Sequence, residues 1–257
     1  MRRDTRVWSL TYGAQATPSV LLGEPAPPGT LLPLSFWVVR VGSSAILVDC
    51  GANPEWAMKK SVIEYQPMET MLARIGVSVT DVDILILTHL HWDHAGNAER
   101  FHGARIVVQQ AELDGWSYML ADPATYSWAY EQRIDPSQIA LLRNSPNVDV
   151  VSGVAEIAPG VTVHPGPGHT AGLQYVKVEL GDHPIVLTSD AVFSRENLVR
   201  MVPNSNTLNV VETLATFSAV KAAARERGLI VPGHDQTFLS ELPSSSPGVR
   251  DLTSVLS

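Results

Sequence analysis

Three histidines and an aspartate fall within six residues of THLHWDHAG, Thr88 to Gly96, directly behind the apolar run ILIL. A strand of that composition is covered on both faces, so its end lies at the rim of a core. Ionisable groups crowded there would repel one another or stand unpaired, which is costly in a low-dielectric setting. A metal ion removes the conflict, because imidazole and carboxylate are its ordinary ligands. The fold of the chain has to be built around the end of this strand.

His89 and His91 alternate along extended backbone, so both rings can reach one ion. Asp93 and His94 follow where the chain turns towards a helix, and they face a second point a few ångströms away. Three more groups sit at comparable strand ends: His169 in PGPGHTAG, Asp190 in LTSDA and His234 in VPGHD. Glycine or proline flanks two of them, as a backbone bending tightly around a site requires. Five histidines and two aspartates make a donor set for two borderline divalent ions, with Zn favoured by imidazole and a carboxylate able to bridge. Cys50 is the only cysteine, which excludes an intrachain disulfide and a thiolate cage. It reads as a small buried hydrophobe.

Around these groups, short β-branched runs alternate with helical patterns. SFWVVRVGSSAILVDCG, from Ser35, reads as two strands joined by a Gly-Ser turn, and LQYVKVELGDHPIVLTSDA, from Leu173, repeats the layout. Each pair ends in an aspartate, Asp49 and Asp190, which suggests two halves of related build, each a sheet covered by helices. NPEWAMKK and QPMETMLARIG carry helix-start signals, DILILTH and ARIVVQQ read as strands, and a helical pattern runs from Thr213 to Arg227 before a last strand in LIVPGHD. The segment 112–147, with Trp116, Tyr118, Tyr126, Trp128 and Tyr130, reads as a helical insertion and a candidate pocket wall. No linker divides the chain, so 1–257 is expected to form a single domain.

Net charge is −8, which argues against nucleic acid or an anionic membrane as partner. No apolar run has the length of a membrane span, and the N-terminus lacks the pattern of a secretion signal. The expectation is a cytoplasmic protein acting on a small molecule. Two roles are open to YGAQATPSVLLGEPAPPGT near the N-terminus: a pocket loop, or the arm of a homodimer.

The ordered set of seven groups resembles that of the metallo-β-lactamase-fold hydrolases, most closely their lactonase branch. The H-x-H-x-D-H motif is complete as His89, His91, Asp93 and His94, and similarity at the motifs spans Leu47 to Phe238. The resemblance implies an α/β fold in four layers, an αββα sandwich. It also implies that His89, His91 and His169 bind one metal, that Asp93, His94 and His234 bind the other, and that Asp190 bridges both. Asp49, in ILVDCG, would support a ligand from behind. His102, His164 and His183 have no counterpart in the motifs and read as surface or turn residues.

Two adjacent ions, Zn with Mn or Fe able to replace it, imply hydrolysis of a lactone or related cyclic ester by a bridging hydroxide, with Asp93 catalytic in handling the proton. A two-zinc β-lactamase would usually carry Cys in place of Asp190 and an export signal. A glyoxalase-type thioester hydrolase or a phosphodiesterase could use the same two-metal site. An iron dioxygenase of the persulfide type would not need Asp93 or His94 as ligands. One departure stands out: acyl-homoserine lactonases carry a tyrosine three residues after the bridging aspartate, where this chain has Phe193. Ser194, Arg195 and Asn204 are the nearby candidates to replace its hydroxyl.

Overall fold

The computed structural model describes residues 5–122, 124, 127 and 136–256. Among them thirteen strands form two sheets. The strands are β1 (Thr5–Ala16), β2 (Leu31–Val41), β3 (Ser44–Val48), β4 (Val82–Ile86), β5 (Arg105–Gln109), β6 (Val148–Val151), β7 (Ala155–Ala158), β8 (Val161–Pro165), β9 (Gln174–Val178), β10 (Ile185–Ser189), β11 (Leu229–Pro232), β12 (Ser244–Ser246) and β13 (Val249–Asp251). The first sheet runs β12-β13-β1-β2-β3-β4-β5-β6 and the second β11-β10-β9-β8-β7. The helices are α1 (Pro54–Lys59), α2 (Met68–Ala73), α3 (Trp92–Ala95), α4 (Gln110–Ala121), α5 (Pro136–Asn144), α6 (Arg195–Arg200), α7 (Val210–Ala224) and α8 (Gln236–Glu241).

Alternation along the strands builds the layers. Ile46, Val48, Ile84 and Ile86 point between the sheets and meet Val163, Val176, Ile185 and Leu187. Their neighbours Leu47 and Leu85 point outward, beneath Met71, Leu72, Leu113 and Trp116. Val186 and Tyr175 do the same on the second sheet, beneath Phe217 and Val220 of α7. With period-two side chains and apolar cover on both faces, a strand such as ILIL has no polar position left. The result is the four-layer αββα sandwich.

The two halves share a core motif. In each, an antiparallel pair is followed by a parallel strand: β2-β3 then β4, and β9-β10 then β11. Asn53 caps α1 by accepting the Trp56 N–H at 2.9 Å, as the Asn-Pro signal predicts.

Two expectations need correction. LIVPGHD is not the last strand, because β12 and β13 follow α8, and β13 pairs with β1 through Trp8↔Asp251 and Leu10↔Val249. Three-residue strands in SSS and VRD carry too little pattern to be read. The halves are also unequal, since β1 joins the first sheet beside β2. A register shift between Thr11 and Gly13 breaks β1's alternation, which hides the strand in the sequence.

In the segment read as an insertion, α4 and α5 are helical. Leu113 and Trp116 are buried in the core while Tyr118 is exposed. Tyr126, Trp128 and Tyr130 lie outside the described residues. No described helix is long and apolar enough to cross a membrane.

Candidate metal centre

All seven predicted side chains converge at one end of the two sheets, where β3, β4, β10 and β11 stop. His89 and His91 lie between β4 and α3, whose first turn supplies Asp93 and His94. His169 is on the loop from β8 to β9. There Gly168 has φ +132°, and a Cβ on it would collide with Thr213, so only glycine lets the loop pass α7 and turn His169 inward. Asp190 follows β10 and His234 follows β11. Asp49, at the corresponding end of β3, has φ 62°, and Ser189 just before Asp190 has φ 47°. Left-handed backbone of this kind costs on the order of 1–3 kcal/mol at a non-glycine residue, and it is retained where surrounding contacts over-determine it.

The side chains form two clusters: His89, His91, His169 and Asp190, and Asp93, His94 and His234. In the first, His91 Nδ1 is 2.9 Å from both His89 Nε2 and His169 Nε2. In the second, His94 Nε2 is 3.5 Å from Asp93 Oδ2. Asp190, grouped with the first, lies against the second as well. Its Oδ2 is 3.1 Å from His169 Nε2 and 3.8 Å from His89 Nε2, while its Oδ1 is 3.0 Å from His94 Nε2 and 2.9 Å from His234 Nε2.

Supporting hydrogen bonds decide which ring nitrogen faces inward. His94 Nδ1 donates to Asp49 Oδ2 at 2.8 Å, and His234 Nδ1 donates to the Pro33 carbonyl at 2.8 Å. The Thr88 hydroxyl donates to Asp49 at 2.8 Å, so it accepts from His89 Nδ1 at 3.1 Å. Each neutral ring then presents an Nε2 lone pair to the centre. Lone pairs and carboxylate oxygens set about 3 Å apart repel without a cation between them. His94 Nε2 shows the crowding directly: it is buried, with carboxylate oxygens of Asp190 at 3.0 Å and Asp93 at 3.5 Å. The donor set therefore fits two divalent ions.

Proton affinities follow the same logic. Burial, reinforced by neighbouring imidazoles, pushes His91 down to about 3 and holds His89 well below the ordinary histidine value. Burial alone would lower His94 and raise Asp190. The carboxylates Asp190, Asp93 and Asp49 nevertheless hold His94 well above its usual value, and His94, His234 and His169 hold Asp190 well below its own. His234 is raised too, against burial, chiefly by Asp190.

Asp49 supports the centre as expected, and it also accepts the Thr88 N–H at 2.8 Å. From the second sheet, the Ser189 hydroxyl donates at 3.2 Å to Asp49 Oδ2, the oxygen that His94 Nδ1 and the Thr88 hydroxyl also use. Cys50 is fully buried, as expected, with its thiol donating to the His94 carbonyl at 3.3 Å. His164 stacks on Tyr175, and His183 Nδ1 donates to the Arg227 carbonyl; neither is near the centre. Sequence reasoning missed Pro33, whose role is carried by a backbone carbonyl that leaves no trace in residue type. It also missed Glu112, which looks in sequence like an ordinary helix-surface acid.

Phe193 is 2% exposed, with its ring 4.8 Å from that of His234 and 5.6 Å from that of His169. The three candidates to replace the tyrosine's hydroxyl are engaged elsewhere. Asn204 Nδ2 donates instead to the Asp190 carbonyl at 3.0 Å, and the Ser194 hydroxyl donates to Asn197. Arg195 is paired with Glu241. A cavity of about 540 Å³ opens beside His234, walled by Leu21, Pro25, Leu31, Leu32 and Arg195. The stretch from Val20 to Leu32 thus lines a pocket. It is pinned to its own chain by Leu22 N–H to the Pro203 carbonyl and Ser205 N–H to the Val20 carbonyl.

The Metallo-beta-lactamase superfamily profile matches residues 29–234. An N-acyl homoserine lactonase from Bacillus sp is 29% identical over 225 residues, covering 81% of this chain and 84% of that protein. The N-acyl homoserine lactonase AiiB of Agrobacterium fabrum is 26% identical over 236 residues, 84% of each chain. Among solved structures, a Bacillus thuringiensis AiiA variant with N-decanoyl-L-homoserine bound at its active site superposes with a TM-score of 0.75, at 23% identity over 93% of this chain and 97% of that one. At that identity the superposition speaks to fold alone.

Proposed function

The chain belongs to the metallo-beta-lactamase superfamily, and from that premise we propose that it is a metal-dependent hydrolase that opens a lactone or related cyclic ester. The observation that carries the reading is the position of Asp190, one oxygen in each half of the cluster. Its lactonase relatives support the choice of substrate class.

His89, His91 and His169 would hold one ion and Asp93, His94 and His234 the other, with Asp190 placed to serve both. Five imidazoles favour zinc, and a cytoplasmic location suits a chain with an acidic surface and a single buried thiol. When bound, the two ions supply a nucleophile from water near neutral pH and a Lewis acid for the ester carbonyl. The chain's own task is to place and move the proton. Asp93 is the more open of the two carboxylates at the centre, 12% against 4% for Asp190. The Tyr12 hydroxyl anchors its backbone by donating to its carbonyl at 2.8 Å, so this tie does not occupy the carboxylate. Asp93 takes a proton from the attacking water and delivers it to the ring oxygen as the carbonyl–oxygen bond breaks. The product is a hydroxy acid, with one water consumed.

Phe193 narrows the substrate. Without a donor at that point, a substrate whose transition state relies on a hydroxyl there is disfavoured. A hydrolysis panel of lactones, lactams, thioesters and phosphodiesters tests both levels of the reading. The expected order places lactones first and, within them, compact or aromatic lactones above acyl-homoserine lactones in kcat/KM. Faster turnover of a thioester or phosphodiester contradicts the substrate class. A clear preference for the acyl-homoserine series contradicts the role given to Phe193.

A further inference from the structure

Glu112, on the first turn of α4, is a carboxylate only 1% exposed, and it belongs to neither metal cluster. Burial raises its proton affinity, and every hydrogen bond it accepts acts in the opposite direction. Four donors meet its two oxygens. Oε1 accepts the Leu90 N–H at 2.9 Å and the Trp116 indole N–H at 2.8 Å. Oε2 accepts the Thr170 hydroxyl at 2.7 Å and the Gly172 N–H at 3.0 Å. Leu90 sits between His89 and His91, while Thr170 follows His169. One carboxylate therefore ties the two loops that carry the three histidines of the first cluster, loops almost 80 residues apart in sequence.

Close packing at the same place makes this contact specific. A Cβ on Gly172 would fall 1.9 Å from the Glu112 backbone nitrogen, and one on Gly115 would fall 2.8 Å from Ala171 Cβ. Glycine on each side lets the His169 loop lie flush on α4. The Trp116 ring, oriented by the same carboxylate, stands edge-on to His91 at 5.6 Å. The Asp93, His94 and His234 cluster receives nothing from Glu112.

We infer that Glu112 is a positioning residue that sets the spacing of His89, His91 and His169 and thereby the metal affinity of that cluster alone. The inference rests on the two-metal reading of the centre. Charge matters as well as shape, because all four contacts are donors. In Glu112→Gln an amide NH₂ must take one oxygen's place, and there it cannot accept, either from Gly172 or from Leu90 and Trp116. Partners that orient metal ligands typically influence affinity by about 10- to 100-fold.

The test is stepwise zinc binding to metal-free protein against a chromophoric chelator, with His91→Ala identifying the step that belongs to the three-histidine cluster. In Glu112→Gln that step weakens by at least about tenfold while the other is unchanged. Thr170→Val weakens the same step by less, and adding it to Glu112→Gln costs little more, because both cut the same tie. Equal weakening of both steps, or no change in either, overturns the inference. Wild-type protein that binds no zinc overturns the metal reading itself, a different result from wild type binding two ions with Glu112→Gln unaffected.

Discussion

Asp93→Asn lowers kcat by about 100- to 10,000-fold, the range of a positioned acid–base group, in enzyme that keeps both ions. The substitution is nearly isosteric. The amide oxygen still faces His94, so the local packing and one metal contact survive. What disappears is the ability to accept a proton from water and return it to the leaving oxygen. The anchoring hydrogen bond from Tyr12 goes to the backbone carbonyl and is untouched. KM should therefore change far less than kcat, since the loss is confined to the transition state. Metal content measured on the same samples separates this from ligand loss. Near-normal turnover in a fully metallated variant removes Asp93 from the chemistry.

Asp190→Asn acts on the centre as a whole. Only one side of an amide has lone pairs to offer, so whichever way the side chain turns, one cluster loses its carboxylate oxygen. The four imidazole nitrogens that stand within 3.8 Å of Asp190, from His89, His94, His169 and His234, also lose the charge that binds them together. Affinity for one ion should fall by more than about 100-fold, beyond the range set by loss of a merely supporting group. Hydrolysis should fall with it. Elemental analysis showing two ions per chain in this variant, with activity retained, would remove the bridge from the account.

Much of this was legible in the sequence because metal ligands are chemically conspicuous. The H-x-H-x-D-H run cannot be surface decoration behind an ILIL strand, and the repeated hairpins ending in Asp49 and Asp190 disclosed the paired halves. The illegible parts have physical reasons. A bulge disrupts the pattern of β1, and β12 and β13 are too short and polar to carry one. Pro33 holds His234 through a backbone carbonyl, which any residue possesses. Glu112 is one acid among many until the fold brings Leu90, Thr170 and Gly172 to it. Asn204 looks in sequence like a replacement for the missing hydroxyl, but its amide nitrogen donates to the Asp190 carbonyl. The pocket beside His234 is lined by residues from Val20 to Leu32, one of the two roles open to that stretch in the sequence, whereas no described residue of 112–147, the expected pocket wall, lines it.

The most direct measurement is a titration of metal-free protein with zinc, following lactone hydrolysis and bound metal together. Convergence of seven candidate ligands into two clusters, with Asp190 between them, predicts binding that saturates at two ions per chain, with hydrolysis rising on the second equivalent. Saturation at one ion, or full hydrolysis before the second ion binds, would contradict it.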